Sequence, residues 1–166
     1  MTSMIQNAGF NELELLTIAM AIEDQGMKFY QNGANNTEGR LKQFLLDAAG
    51  QEKEHKQVFQ TYYNEIKEDK PEGEEEYLFD HDVTSYLKAM AEKAVFNKAP
   101  SEGQEAFKDL KSSVLYAIKS EALTIDIYTK MYEGAKRQDI KDLLKRLIDE
   151  EKSHLGYFKS VLKEIE

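Results

Sequence analysis

The sequence predicts an all-α protein, a bundle of four long helices, on three observations. Hydrophobic residues recur at steps of three and four over four long segments, which is the spacing of a bundle seam. Only 2 prolines and 9 glycines occur among the 166 residues, and this favours long helices over a β or disordered protein. Short turns join the segments into two pairs, and a long connection separates the pairs, as in a bundle of two antiparallel hairpins with a crossover.

The helix boundaries follow from capping patterns and breaks in the periodicity. Asn11 with Glu14 forms a capping-box pattern before the first long segment, and Ser101 with Gln104 forms a similar pattern before the third. The predicted helices, including a short extra helix in the crossover, cover residues about 11–33, 38–68, 83–97, 102–134 and 139–165.

The connections between these helices are of two kinds. Residues 33–39 (GANNTEG) predict a tight turn within the first hairpin, and residues 134–139 predict the turn of the second. Residues 69–80 are acidic and contain Pro71, so we expect an exposed connection there. All 166 residues are expected to form one domain.

Composition and charge exclude several classes of function. The net charge of −9 disfavours nucleic acid and anionic membrane surfaces, because both need a basic face. The absence of cysteine excludes disulfides, thiolate-bound metals and a cysteine nucleophile. Residues 1–10 have neither a basic nor an apolar stretch typical of a secretory signal, and no apolar run reaches about 20 residues. We therefore expect a cytoplasmic protein.

Six side chains capable of binding metal lie on the apolar seams, where a bundle normally buries hydrophobic residues. Two of the 3 histidines close a Glu-x-x-His motif, and this spacing places both side chains on one face of a helix. The motifs follow a lone glutamate by 29 residues in the first half and by 30 in the second. The two sets are Glu23, Glu52 and His55, and Glu121, Glu151 and His154.

Such a layer of four carboxylates and two imidazoles needs cations. Burial and mutual repulsion would raise the carboxyl pKa values and destabilise the fold. Two divalent metal ions would balance the four negative charges and leave the imidazoles neutral. Oxygen and nitrogen ligands suit iron or manganese, and the lack of thiolate disfavours structural zinc. The pattern therefore predicts a dimetal centre.

Several segments resemble the rubrerythrin branch of the ferritin-like diiron carboxylate superfamily. The segment AIEDQGMKFY is similar to its first-helix motif, and AAGQEKEHKQVF and IDEEKSHLGYF are similar to its second and fourth helices. The resemblance extends over nearly the whole chain and implies a ferritin-like four-helix bundle holding two iron ions, with manganese or a mixed pair as alternatives. It implies as ligands Glu23 and His55 on one ion, Glu121 and His154 on the other, and Glu52 and Glu151 as bridges.

Two departures from the family pattern bear on activity. Rubrerythrins have an additional carboxylate, tied to peroxidase behaviour, at the position of Thr124. They also often carry a cysteine-rich rubredoxin domain, and these 166 residues contain no cysteine. Electrons would then come from an external donor, such as a rubredoxin-like carrier protein.

The resemblance also suggests roles for residues around the centre. Tyr30 and Tyr128 would donate hydrogen bonds to the carboxylates or lend an electron, although seam tyrosines also serve simply to fill a core. Glu54, Asp149 and Glu150 flank the motifs but lie off the seams, so we expect them to be solvated. His81 is expected to be an exposed residue near a helix start.

Three functions remain open from the sequence. The first is an oxidoreductase of the peroxidase or ferroxidase type, acting in oxidative stress, whose di-Fe(II) site reacts with hydrogen peroxide or dioxygen. The second is a ferroxidase or iron-handling protein that oxidises Fe(II) as its substrate. The third is a structural protein stabilised by its metal. A homodimer is expected in each case, because ferritin-like bundles often pair through helix faces.

Overall fold

The computed structural model describes residues 11–69, 85, 89 and 108–166, and four long α-helices lie within the two long described ranges. No strand occurs within these ranges, so the all-α fold class and the four-helix bundle are confirmed. The helices are α1 (Glu12–Asn35), α2 (Gly39–Glu68), α3 (Leu110–Gly134) and α4 (Gln138–Ile165). None of them, within the described part of the chain, has both the length and the apolar character needed to cross a membrane.

Contacts between the hairpins define how the helices run. Tight turns make α2 antiparallel to α1, and α4 antiparallel to α3. Phe29 of α1 stacks on Tyr116 of α3 at 4.4 Å, whereas the start of α1 reaches the end of α3, where Glu12 accepts a hydrogen bond from the Lys136 amide. Since α1 and α3 are therefore also antiparallel, α2 and α3 run in the same direction. The end of α2 and the start of α3 lie at opposite ends of the bundle, as a crossover connection requires.

The apolar core is divided into two clusters. One contains the side chains that precede Glu23 in α1 and follow His55 in α2, including Leu16, Ile22 and Phe59. The other lies towards the α1–α2 turn and is built from residues such as Tyr30, Leu45, Val114 and Phe158. The predicted metal ligands lie between the clusters along every helix. The two clusters therefore enclose a polar layer and keep bulk water from most of it.

The predicted first cap is confirmed, and the predicted start of the third long helix is wrong. Asn11 and Glu14 form both hydrogen bonds of a capping box, at 2.9 and 3.2 Å. Helix α3 begins at Leu110 rather than near residue 102, because Asp109 has an extended backbone and its side chain accepts the Ser112 amide at 2.7 Å. An aspartate in this position is a strong helix N-cap.

Four predictions fall mainly outside the described residues. They are the exposed connection over residues 69–80, the capping pattern of Ser101 and Gln104, the exposed His81, and the short helix over about 83–97. Within the last of these ranges the structure describes only Ser85 and Ala89, which are helical.

Candidate metal centre

The bundle brings all six predicted ligands together in the polar layer. Each side chain lies on the inward stripe of its helix, with one helical turn between the members of each Glu-x-x-His motif. Contacts within and between the hairpins connect the carboxyl and imidazole groups into one cluster. The buried members are Glu23, Glu52, His55, Glu121 and Glu151, while the His154 side chain is 22% exposed.

Glu151 lies between the two imidazoles. Its Oε1 is 2.8 Å from His55 Nδ1, and its Oε2 is 3.4 Å from His154 Nδ1. The rings are nearly parallel, with centroids 5.3 Å apart. One ligand atom from each of these three residues lies within 4.8 Å of the others. This spacing allows a cation to be held between the histidines, with Glu151 in the position that a bridging carboxylate needs.

Three of the four carboxyl groups have raised pKa values. Burial raises the pKa of Glu52 well above its usual range, and the adjacent charge of Glu23 raises it further. Burial also raises the pKa of Glu121 well above its usual range, and the nearby charge of Glu151 raises it further. Glu52 then donates a hydrogen bond to Glu23, and Glu121 donates to Glu151. The pKa of Glu23 is also raised, because the effect of burial exceeds that of its hydrogen bonds.

The other charges are concentrated on Glu151 and His55. Burial alone would raise the pKa of Glu151, but hydrogen bonds from Glu121 and His154 and the ion pair with His55 hold it well below its usual value. Burial would lower the pKa of His55, yet the close contacts of Nδ1 with the Glu151 and Glu23 carboxylates raise it to about 11. Protonated His55 thus contributes a positive charge to the cluster. A metal ion at Nδ1 would replace that proton, which couples metal binding to proton release.

Several ligand atoms in the cluster have no well-directed hydrogen bond. They are Glu23 Oε2, Glu121 Oε2, Glu151 Oε1 and His55 Nδ1, all of them buried. The last two are 2.8 Å apart as an ion pair, but their geometry is not that of a good hydrogen bond. Buried polar atoms are rarely left unsatisfied, since each costs about 1–3 kcal/mol. Lone pairs of oxygen and nitrogen that converge in this way fit a bound transition-metal ion.

The two candidate tyrosines differ in what they contact. The Tyr128 hydroxyl donates a 2.6 Å hydrogen bond to Glu23 Oε1, and both residues are buried. Tyr30 is also buried, but its hydroxyl has no hydrogen-bond partner among the described residues. The structure therefore places Tyr128 directly against a predicted ligand, whereas for Tyr30 the described contacts are those of a core residue.

Glu150 was predicted to be solvated, and this prediction is wrong in part. Its side chain is 45% exposed, but its Oε2 lies 3.1 Å from His55 Nε2. Glu54 and Asp149 are exposed, as expected. The signal for Glu150 was its place immediately before Glu151, at the edge of the α4 seam that faces α2. Single-helix periodicity cannot show this contact, because it depends on the neighbouring helix.

Thr124 occupies a buried position on the α3 seam. It is 4% exposed, and its hydroxyl donates to the Ser120 carbonyl of its own helix at 3.0 Å. A threonine bonded in this way adds no charge to the centre. The additional carboxylate expected from the family resemblance is therefore replaced by a neutral group.

Comparison with known proteins identifies the class of this centre. The rubrerythrin family model matches residues 14–111 and 113–166, nearly the whole chain. No curated protein and no solved structure matches it. The match makes the chain a ferritin-like protein of the diiron type, a class that typically binds iron.

Proposed function

The chain belongs to the rubrerythrin family, and we propose that it is a non-haem diiron redox protein. It would react with hydrogen peroxide or dioxygen at a di-Fe(II) site and be re-reduced by a separate donor protein. The observation that carries this proposal is the layer of four buried carboxyl groups and two imidazoles between two apolar clusters. A purely structural bundle would fill this layer with hydrophobic side chains, since buried carboxyl groups are costly.

Each ligand has a proposed place in the centre. Two iron ions, or manganese in one or both positions, would be held by Glu23 with His55 and by Glu121 with His154, bridged by Glu52 and Glu151. Bound iron supplies the electrons for reducing the oxidant and the open coordination positions where it binds. Metal loading would displace the protons that Glu52, Glu121 and His55 favour in the metal-free protein, because ligand atoms must be deprotonated to bind an ion.

The surrounding residues would control water and ligand orientation. Tyr128 fixes Glu23 by a buried hydrogen bond, and Glu150 holds His55 from the opposite side of the ring. The apolar clusters on either side exclude water and so strengthen the electrostatic interactions of the cluster. These contacts support a centre with defined geometry rather than an incidental cation site.

Electron supply is proposed to come from outside the chain. The 166 residues contain no cysteine, so they hold no thiolate-bound iron that could pass electrons to the centre. A rubredoxin-like carrier, docking on a homodimer of this chain in the cytoplasm, is the partner we propose.

A second candidate function is iron handling, in which Fe(II) is the substrate and leaves after oxidation. The partial exposure of His154 favours it, because an ion on that side could exchange with solvent. Such a protein would be a ferroxidase rather than a peroxidase. It would consume one oxidant for each iron pair and then need new Fe(II).

Anaerobic iron loading followed by oxidant challenge tests the proposal. Loaded protein is mixed with hydrogen peroxide or dioxygen, with a reduced rubredoxin-type carrier in excess, and oxidation of the carrier is followed. Continued turnover with iron retained supports the redox enzyme. One oxidation followed by iron release supports iron handling, and no oxidation at all leaves only a structural role for the metal. The exposed-site variant Glu54→Ala should behave as the unmodified protein, whereas Glu52→Ala should lose the reaction.

A further inference from the structure

The two histidines of the centre have different surroundings. The His55 side chain is 4% exposed, and its two ring nitrogens contact carboxylates on opposite sides. The His154 side chain is 22% exposed, and its only contact with a carboxylate among the described residues is with Glu151 at 3.4 Å. The two histidines therefore occupy equivalent positions in the sequence repeat but differ in exposure and in their contacts with carboxylates.

Glu150 explains how His55 is held. Its Oε2 is 3.1 Å from Nε2, and its Oε1 is 3.7 Å from Arg146 Nε, which steadies the carboxylate. An imidazole that donates Nε2–H to a carboxylate presents Nδ1 as the ligand atom, in a fixed orientation and with raised basicity. In His55, Nδ1 points towards Glu23 and Glu151, the predicted ligands of the same ion.

The corresponding residue in the other half is neutral. Glu150, Glu151 and His154 follow Gln51, Glu52 and His55 by 99 residues, so Gln51 is the counterpart of Glu150. The Gln51 Oε1 is buried and makes no hydrogen bond in the described structure. An amide can accept a hydrogen bond from an imidazole, but it carries no charge to raise the basicity of that imidazole. His154 is thus both more exposed and less firmly held than His55.

We propose that the two metal positions are inequivalent. The Glu23–His55 position binds a divalent ion first and keeps it. The Glu121–His154 position binds second, loses its ion first, and is the side on which Fe(II) enters the centre. This inference rests on the proposed dimetal function and adds the order of binding, with Glu150 as the positioning residue responsible.

Calorimetry tests the order of binding. Chelator-treated protein is titrated stepwise with Fe(II) under anaerobic conditions, and the affinity of each binding step is measured. The unmodified protein is expected to bind two ions in two resolved steps. His154→Ala should remove the weaker step and keep the tighter one, whereas His55→Ala should remove the tighter step. Circular dichroism of each variant shows whether the bundle has folded.

Two charge substitutions separate positioning from general stability. Glu150→Gln should weaken the first step by about tenfold or more and leave the second little changed. Asp149→Asn is its matched control, because it removes a neighbouring exposed charge that pairs with Lys145 at 3.8 Å. The reverse change, Gln51→Glu, should strengthen the second step and bring the two affinities closer together.

The outcomes distinguish this inference from the proposed function. Two ions bound with equal affinity, or loss of the tighter step in His154→Ala, would overturn the inequivalence and leave the dimetal centre in place. Equal effects of Glu150→Gln and Asp149→Asn would also overturn it. Fewer than two ions bound by the unmodified protein would contradict the proposed function itself.

Discussion

Tyr128 of α3 and Glu23 of α1 form a buried hydrogen bond that joins the two halves of the bundle. The hydroxyl lies 2.6 Å from Glu23 Oε1, and neither residue is exposed by more than 1%. Tyr30 occupies the equivalent place in the sequence repeat, 98 residues earlier, but makes no hydrogen bond among the described residues. The centre is therefore supported more strongly on the Glu23 side, where the first metal ion is proposed to bind.

The tyrosine pair offers a direct test of this difference. Tyr128→Phe leaves Glu23 Oε1 without its hydroxyl donor and is expected to lower the free energy of unfolding by about 1–3 kcal/mol. Tyr30→Phe removes a hydroxyl without a described partner and should change that free energy by less than about 0.5 kcal/mol. Urea unfolding of the chelator-treated variants measures both values. Equal losses in the two variants would show that the hydroxyl bond to Glu23 has no special role.

The stability of chelator-treated protein should fall as the pH rises. Glu23, Glu52 and Glu121 have raised pKa values, so the native state retains protons that the unfolded state releases above about 4.5. The pKa of His55 rises from 6.5 to about 11, so its contribution is complete below 6.5 and is lost towards 11. The carboxyl groups and His55 therefore both lower the free energy of unfolding as the pH rises.

Glu151 acts in the opposite sense, since its lowered pKa gives a contribution that is lost only as the pH falls below 4.5. Thermal unfolding between pH 5 and pH 9 should therefore show a melting temperature that decreases with pH. Addition of Fe(II) or Mn(II) should abolish most of this decrease, because the ions replace the protons. A melting temperature that rises steadily over this range would contradict the assignment of protons to the cluster.

The caps of α2 and α3 make a second matched pair. Asp109→Ala removes the side chain that accepts the Ser112 amide and should cost about 1 kcal/mol of stability. Glu38→Ala changes the N-cap of α2, whose side chain makes no capping bond, and should be nearly neutral. Denaturant unfolding measures both. An Asp109→Ala variant with an unchanged free energy of unfolding would show that α3 does not depend on this cap. It would then favour the predicted helix start near residue 102.

Thr124 allows the missing family carboxylate to be restored. Thr124→Glu places a fifth carboxyl group in the buried layer, and it should destabilise the chelator-treated protein while raising the rate with hydrogen peroxide relative to dioxygen. Thr129→Glu is the control, because Thr129 lies on the same helix, makes the same type of bond to the carbonyl four residues earlier, and is less buried. Stopped-flow oxidation with each oxidant gives the ratio. An unchanged ratio in Thr124→Glu would show that this position does not control oxidant choice.

The periodicity of the seams predicted the bundle and the meeting of Glu23, Glu52 and Glu121 in one layer. Such a prediction succeeds because helical spacing alone decides which side chains share a face. The contacts of Glu150 and the difference between Tyr30 and Tyr128 could not be predicted in this way. These contacts depend on how one helix is rotated against its neighbour, and the residue spacing within a single helix carries no information about that rotation.

The early predicted start of α3 has a more local cause. Residues 102–107 contain helix-favouring side chains, and these obscured the capping signal of Asp109. In the structure, the hydrogen bond from the Ser112 amide to Asp109 fixes where α3 begins. In the sequence, aspartate occurs too often for a single one to identify a helix start.

An anaerobic Fe(II) titration of chelator-treated protein, counting tightly bound iron per chain, tests the dimetal centre most directly. Saturation at two ions is expected, with the count reduced in Glu52→Ala and Glu151→Ala and unchanged in the exposed control Glu54→Ala. Saturation at zero or one ion, or equal counts in all three variants, would contradict the dimetal centre.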